Sequence, residues 1–251
     1  MIRVRFSADL AAVRATICLP TYNERENLER MLCALGEVLR AGDRVLVIDD
    51  RSPDGTGEIA DRMAAELGFV DVLHREQKEG LGPAYLAGFR RVLGGDAELV
   101  LEMDCDFSHD PADVPRLIAA AEGGADLVLG SRYVPGGSIP DWGVARRAVS
   151  SAGNLYARLF LTSPIHDLTG GFKCFRRRVL ETIDLESVDA KGYAFQIETT
   201  YRARRAGFRV EEVPISFVDR QRGGSKMSRA IVLEAMWKVP LLRLRAVTGR
   251  L

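Results

Sequence analysis

Cysteine is scarce in this 251-residue chain, and Cys18, Cys33, Cys105 and Cys174 show neither a C-x-x-C pair nor a regular spacing. A disulfide framework and a zinc site are therefore not indicated, and a reducing, cytoplasmic setting fits best. Histidine is rarer still. His74, His109 and His166 each stand among unrelated neighbours, so they read as structural or solvent-facing groups, and no Ser-His-Asp spacing suggests a hydrolase. Aromatics are only 7% of the residues, and Arg and Lys fall beside Gly turns and helix patterns, which argues against a nucleic-acid partner. No window approaches the roughly 20 apolar residues of a membrane span, and the segment with Arg3, Arg5 and Asp9 lacks the apolar run of a signal peptide. The expectation is a chain that does not cross a membrane. Phosphate-loop chemistry is missing as well: "KEGLGPAY" at 78–85 lacks the G-K-[ST] ending of a Walker site. No G-x-G-x-x-G follows the first apolar run, which weighs against a nicotinamide or flavin enzyme.

What is present is unevenly distributed. The net charge of zero conceals 15 basic and 25 acidic side chains in residues 1–142 against 20 and 10 in residues 143–251. An acidic half suits a metal ion and a cation-bridged ligand, while a basic half suits an anionic partner or surface. Short β-type runs, "ATICLP", "RVLVIDD", "LVLEMD" and "DLVLGS", alternate with helix-period segments such as Leu28, Met31, Leu32, Leu35 and Leu39. This predicts one α/β domain with a doubly wound, largely parallel sheet. Ligands in such sheets gather beyond the carboxyl ends of the strands, so "PTYNERE", "DDRSPDGT", "DCDFSHDP" and "GSRYVPGG" are the first suspects. Further on come a helix pattern over about 143–162, a Gly-rich turn "DLTGGFKCF", and a helix pattern from about Phe195 to Arg205. A strand-like run "FRVEEVPISFV" and a loop "DRQRGGSK" follow. Gly223, Gly224 and Ser225 supply that loop with little packing, and Arg220, Arg222 and Lys226 give it positive charge, so it is expected to be mobile.

Asp104 and Asp106 lie two residues apart at the end of an apolar run, and strand alternation lets both point one way. With no His or Cys pattern around them, the cation they suit is hard, Mg2+ or Mn2+, with positions left for phosphate oxygens. The plainer alternative is that Asp106 starts a turn or caps the next helix, for which Asp110 before Pro111 is an equally good candidate. Asn23 can likewise be a helix cap. The pairing of Tyr22 with Glu24 offers a ring and a carboxylate to a base and a ribose, and at least one of the adjacent Asp49 and Asp50 must leave the core.

The segments "LPTYNERENL", "VIDDRSPDGT", "KEGLG", "EMDCDFSHDP", "GSRYVPGG", "TGGFKCF", "GYAFQIE" and "VEEVPISFVDRQRGGSKMS" occur in that order. Together they resemble the polyprenol-phosphate (dolichol-phosphate) mannosyltransferases of glycosyltransferase family 2 over roughly residues 15–230. The resemblance implies a GT-A, Rossmann-like catalytic domain over 1–230. Its nucleotide-sugar half would be about 15–133 and its acceptor half about 134–230, with 231–251 as an apolar-basic segment for membrane-surface contact. It further implies inverting, metal-dependent transfer of mannose from GDP-mannose to a polyprenyl phosphate, with Mg2+ or Mn2+ as cofactor, at the cytoplasmic face of a membrane and with room for a membrane-embedded partner protein. Residue by residue, it assigns Pro20, Tyr22, Glu24 and Asp50 to guanosine and Asp104 and Asp106 to the metal. Arg132, Arg147, Ser151, Arg220 and Lys226 would receive phosphate groups. Ser108 stands where some relatives carry a metal-ligating Gln, and Cys105 replaces their common Ala.

Chemistry fits that assignment. A phosphomonoester acceptor is already largely ionised near neutral pH, its second pKa being about 6, so no strong base is needed. The difficulty is to bring one anion to another, which suits Arg132, Arg147, Arg220 and Lys226. Two rivals are a UDP-glucose-dependent polyprenyl-phosphate glucosyltransferase and a non-catalytic nucleotide- or lipid-phosphate-binding subunit. Relatives of the first usually add transmembrane helices, and the second has no need of both a metal pair and a further phosphate site.

Overall fold

Side-chain alternation along the strands divides the core into two apolar layers. In β1 (Ala15–Thr21) Ile17 and Leu19 join one layer and Cys18 the other, and in β2 (Arg44–Asp49) Val45 and Val47 oppose Leu46 and Ile48. The computed structural model describes residues 14–188, 192–220, 229–249 and 251. Its remaining strands are β3 (Val70–His74), β4 (Leu99–Glu102), β5 (Leu127–Ser131), β6 (Lys173–Arg176) and β7 (Val210–Pro214). The order across the sheet is β3-β2-β1-β4-β6-β5-β7, and only β6 runs antiparallel to its neighbours. The expected doubly wound, mostly parallel sheet is thus present.

Helices cover both faces. The layer containing Ile17 and Val47 is closed by α1 (Leu28–Val38), α2 (Thr56–Glu66) and α4 (Val114–Glu122). The other layer takes α3 (Leu81–Leu93), α5 (Val144–Leu161), α6 (Arg177–Thr182), α7 (Gly192–Arg205) and α8 (Arg229–Val247). α3 passes so close over the sheet that a Cβ on Gly88 would stand 2.4 Å from Ile48 Cδ1. Glycine is needed there for the approach.

Three expectations change. "TGGFKCF" is a Gly turn only at its start, because Lys173–Arg176 form β6, placed between β4 and β5 with Lys173 opposite Glu102. A buried lysine inside a strand of 4 residues breaks the apolar pattern by which strands are read. Asn23 is no helix cap, since α1 starts at Leu28 behind Asn27. A proline within an apolar helix pattern should kink the helix or end it; Pro240 does not end the last helix, which continues through it to Val247. α8 is also part of the fold: Val239, Leu242 and Ala246 are buried against α5 and α7. Among the described residues, no helix is long and apolar enough to cross a membrane.

Candidate active site

The chain leaves β1 for β2 and β3 on one side and returns to β4 on the other, which opens a crevice at the carboxyl ends of β1 and β4. The loops that follow β1, β2 and β4 each contain a non-glycine residue in the left-handed region: Asn23 (φ 54), Arg51 (φ 56) and Phe107 (φ 61). Such conformations cost about 1–3 kcal/mol and gather where a loop must present particular groups. Hydrogen bonds tie the first two loops together. Ser52 Oγ accepts from Asn23 N–H (3.1 Å), Thr56 Oγ1 from Glu24 N–H (3.0 Å) and Asp54 Oδ2 from Arg25 N–H (3.2 Å). The residues of "SPDGT" therefore brace the β1 loop as well as making a turn.

These loops border a cavity of about 710 Å3, within the usual range for a small-molecule site. Pro20, Tyr22, Glu24 and Asp50 form one wall. Of the adjacent aspartates, Asp49 turns back to accept from Ser52 N–H and Oγ–H (3.2 and 2.6 Å), while Asp50 faces the cavity in an ion pair with Arg75. Burial raises the Asp50 pKa despite that pair. Lys78 was missed in the sequence, where "KEGLG" drew attention to its glycines. Its ammonium lies 3.7 Å from the centre of the Tyr22 ring, on the same wall.

Asp104 and Asp106 both line the cavity. They lie beyond β4, which ends at Glu102, so the loop and not the strand pleat brings them together. The alternative roles separate cleanly. Asp110 caps the short turn at Pro111–Asp113 by accepting from Ala112 N–H (2.9 Å), whereas Asp106 Oδ1 accepts from Ser108 N–H (3.0 Å) and Oγ–H (2.6 Å). Ser108 orients Asp106. Burial and the neighbouring Asp106 push the Asp104 carboxyl up to about 7. Burial acts the same way on Asp106, but the Ser108 hydrogen bonds and the Arg220 charge outweigh it and leave that carboxyl below its ordinary value. His109 is buried beneath the pair. Its ring stacks on Phe172, Nδ1 accepts from Asp104 N–H (3.2 Å), and burial lowers its pKa to about 4, so it supports the loop as a neutral ring.

The donor set can be tested for a metal directly. Among the described residues, no three His, Cys, Asp or Glu side chains gather to hold an ion. Two carboxylates, one of them held protonated up to about neutrality by burial and the neighbouring Asp106, fit a hard divalent ion that completes its shell with phosphate oxygens and water.

The lining also includes cations. Arg132, just after β5, holds Asp167 with two side-chain hydrogen bonds of 2.7 Å, and its terminal Nη2 also donates to Thr169 (2.9 Å). The other terminal nitrogen makes no hydrogen bond among the described residues, and Arg132 borders the cavity. Burial would lower the pKa of Arg132, but Asp167 raises it by more. Arg220 pairs with Asp106 (2.7 Å) and lies 3.7 Å from Glu24. On α5 the structure exchanges neighbours. Arg146 lines the cavity, 4.1 Å from the centre of the Trp142 ring and ion-paired with Asp219 (2.7 Å). Arg147 instead donates to the carbonyls of Ile139 (2.9 Å) and Trp142 (3.4 Å), and Ser151 is exposed farther along; neither lines the cavity. Adjacent helical residues point about 100° apart, which the sequence alone could not resolve into a facing and a non-facing arginine. Lys226, with Arg222 and the glycines of its loop, lies outside the described residues.

Below Asp104 lies a cluster that sequence reading passed over. Glu102 is fully buried with neither carboxylate oxygen hydrogen-bonded, and burial pushes its pKa up to about 7. Lys173, its cross-strand neighbour, donates to Gln196 O (2.8 Å) and Thr199 Oγ1 (3.1 Å), and burial lowers its pKa to about 8. The Tyr85 hydroxyl and both amide atoms of Gln196 are likewise buried without partners. A charged residue amid an apolar run, as in "LVLEMD", was the signal.

Comparison with known proteins decides the class. The model of glycosyl transferase family 2 matches residues 16–184. The chain belongs to that family. Polyprenol monophosphomannose synthase of Mycolicibacterium smegmatis is 50% identical over 238 residues, covering 92% of this chain and 89% of the relative. Undecaprenyl-phosphate mannosyltransferase of Micrococcus luteus is 48% identical over 227 residues, covering 90% and 93%. Among solved structures, glucosyl-3-phosphoglycerate synthase of Mycobacterium tuberculosis bound to UDP superposes with a TM-score of 0.69 over 93% of this chain and 81% of that one. At 18% identity, that likeness shows the GT-A fold alone.

Proposed function

We propose that the protein is a polyprenol-phosphate mannosyltransferase, carrying mannose from GDP-mannose to a polyprenyl phosphate with inversion. The observation that carries the reading is near-full-length identity of about half to the two mannosyltransferases, joined to a cavity lined by both carboxylates and arginines. Pro20, Tyr22, Glu24 and Asp50 would hold the nucleoside, with Lys78 added to that wall. Asp104 and Asp106 would hold a divalent ion, Mg2+ or Mn2+, which when bound supplies Lewis-acid stabilisation of the departing diphosphate. Arg132, Arg146 and Arg220 offset the charge of the acceptor phosphate as its oxygen approaches the anomeric carbon. Arg147 and Ser151, on α5 outside the cavity wall, are left to the acceptor's approach, and Lys226 to the loop beyond Arg220. A phosphate oxygen needs no deprotonation at neutral pH, in keeping with a site whose histidine is neutral and buried.

The surface supports a location at a membrane. Every large apolar side chain exposed among the described residues lies on α5 or α8: Val144, Val149, Leu155, Leu159 and Phe160 on the first, Met236, Trp237, Leu244 and Val247 on the second. The two helices touch, and Tyr156 Oη donates to Met236 O (2.7 Å). With Arg158, Lys238, Arg243 and Arg245 on the same helices, this surface supports reversible seating on an anionic bilayer, where a long prenyl chain resides. We place the protein at the cytoplasmic face. Radiolabelled GDP-mannose with a polyprenyl phosphate and Mg2+ or Mn2+ tests the reading. Preferential turnover of UDP-glucose would replace it with the glucosyltransferase, and binding of GDP without turnover would replace it with a non-catalytic subunit.

A further inference from the structure

Among the described residues, the cavity lining includes a neutral side chain whose donor and acceptor are both unpaired. Gln196, in the first turns of α7, lines the cavity and is only 2% exposed, yet neither Nε2 nor Oε1 makes a hydrogen bond among the described residues. A buried, unsatisfied primary amide is costly and uncommon in a folded protein. The surroundings maintain it. The backbone carbonyl of Gln196 is fixed by Lys173 Nζ (2.8 Å) and Thr200 Oγ1 (3.0 Å), which sets where the side chain departs. Gly171 leaves the amide uncovered, since a Cβ there would stand 3.4 Å from Nε2. Glu102 is near enough for the amide to offset part of its raised pKa, but no hydrogen bond forms between them.

Building on the mannosyltransferase reading, we propose that Gln196 is a specificity-determining residue that hydrogen-bonds the hydroxyls of the transferred hexose. A sugar hydroxyl donates and accepts at once, and so does an amide. An anion would find Glu102 and Asp104 on this side of the cavity, so a neutral polyhydroxyl group is the better match. Its place also fits. The transferred group must lie between the diphosphate and the acceptor phosphate, and Gln196 lines the same cavity as Asp104, His109, Gly171 and Arg132.

The test uses Gln196→Met, which keeps length and removes both polar atoms, and Gln196→Asn, which keeps the amide on a shorter stem. GDP affinity with Mn2+ by calorimetry, the thermal midpoint, and kcat/KM for GDP-mannose and its C2 epimer GDP-glucose are measured for each. With Gln196→Met, GDP affinity should stay within about twofold and the thermal midpoint should hold or rise, because an unsatisfied amide has been removed. The kcat/KM for GDP-mannose should fall by about tenfold or more, and the preference over GDP-glucose should shrink. Gln196→Asn should lie between Gln196→Met and the parent protein. Unchanged hexose preference in both variants overturns the proposal. A lower thermal midpoint with a parallel loss of GDP binding also overturns it, since the amide would then belong to a water-filled folding network. Should the parent protein transfer no mannose at all, the mannosyltransferase reading fails instead, and calorimetry with GDP separates the two failures.

Discussion

Arg220 pairs with Asp106 in the cavity lining, Nη2 to Oδ2 at 2.7 Å. The same guanidinium is needed beside the acceptor phosphate in the proposed reaction, so a divalent cation and Arg220 compete for one carboxylate. Arg220→Gln should therefore bind Mn2+ more tightly than the parent protein in the absence of nucleotide, while turnover falls by about 100-fold. Calorimetry and the transfer assay read the two effects separately; weaker Mn2+ binding in the variant would end the competition argument.

Asp106→Asn should abolish metal-dependent transfer and leave the fold intact, because Ser108 can still donate to the amide oxygen. The circular dichroism spectrum should match that of the parent. Full activity of the parent in EDTA would count decisively against a metal at the pair.

The raised carboxyls make the metal-free protein sensitive to pH. Asp104 and Glu102 retain their protons to about 7 when folded, against an ordinary carboxylate value near 4 when unfolded. The folded state thus binds more protons in that window, and their contribution to stability is lost as pH rises through about 7. His109, lowered to about 4, opposes this below its unfolded value of about 6.5. The decline should run from about pH 5 to 7 and level off by about pH 8, and Asp104→Asn should reduce it. Metal affinity should rise with pH by up to about tenfold per unit below 7 and level off above, as Asp104 gives up its proton. Urea midpoints and Mn2+ titrations across that range check both slopes.

Asp167 is the counter-charge that holds Arg132 at the cavity. Asp167→Asn leaves a buried guanidinium unpaired and should cost about 3 kcal/mol of stability. Chemical denaturation measures it, and a loss well under 1 kcal/mol would show that Arg132 is compensated elsewhere.

For the membrane surface, removing residues 235–251 would strip Val239, Leu242 and Ala246 from the core, so point substitutions are the cleaner probe. Leu159→Ser together with Trp237→Ser should weaken sedimentation with anionic liposomes and slow transfer to long-chain acceptors, while a short soluble prenyl phosphate is affected little. Equal slowing with both acceptors would show that these side chains serve the fold.

Much of this was legible in the sequence because the parallel strands are buried on both faces and read as continuous apolar runs: "RVLVIDD" and "DLVLGS" needed no structure. Part of the cavity lining followed from the same rule, since Tyr22, Glu24, Asp50, Asp104 and Asp106 all come just after such runs. β6 was not legible, for it opens on Lys173, a charged residue that is buried and satisfied by a helix distant in sequence. Lys78, Arg146 and Gln196 escaped for a related reason. Their roles depend on which way a side chain points from a loop or a helix, and that is decided by packing. Arg176 and Arg177 stand in a run of three arginines, a pattern that usually solvates a helix face, yet they donate to backbone carbonyls of Ala121 and Ala125 and of Leu93 and Gly95.

The arrangement of α5 carries one more implication. This helix presents Leu159 and Phe160 to the outside and Arg146, near its start, to the cavity. A protein seated by that surface would search for its acceptor in two dimensions. Its rate would then follow the mole fraction of polyprenyl phosphate within the bilayer and not the amount per volume of suspension. Adding inert lipid at constant acceptor should slow it by surface dilution, although nothing in the aqueous phase has changed.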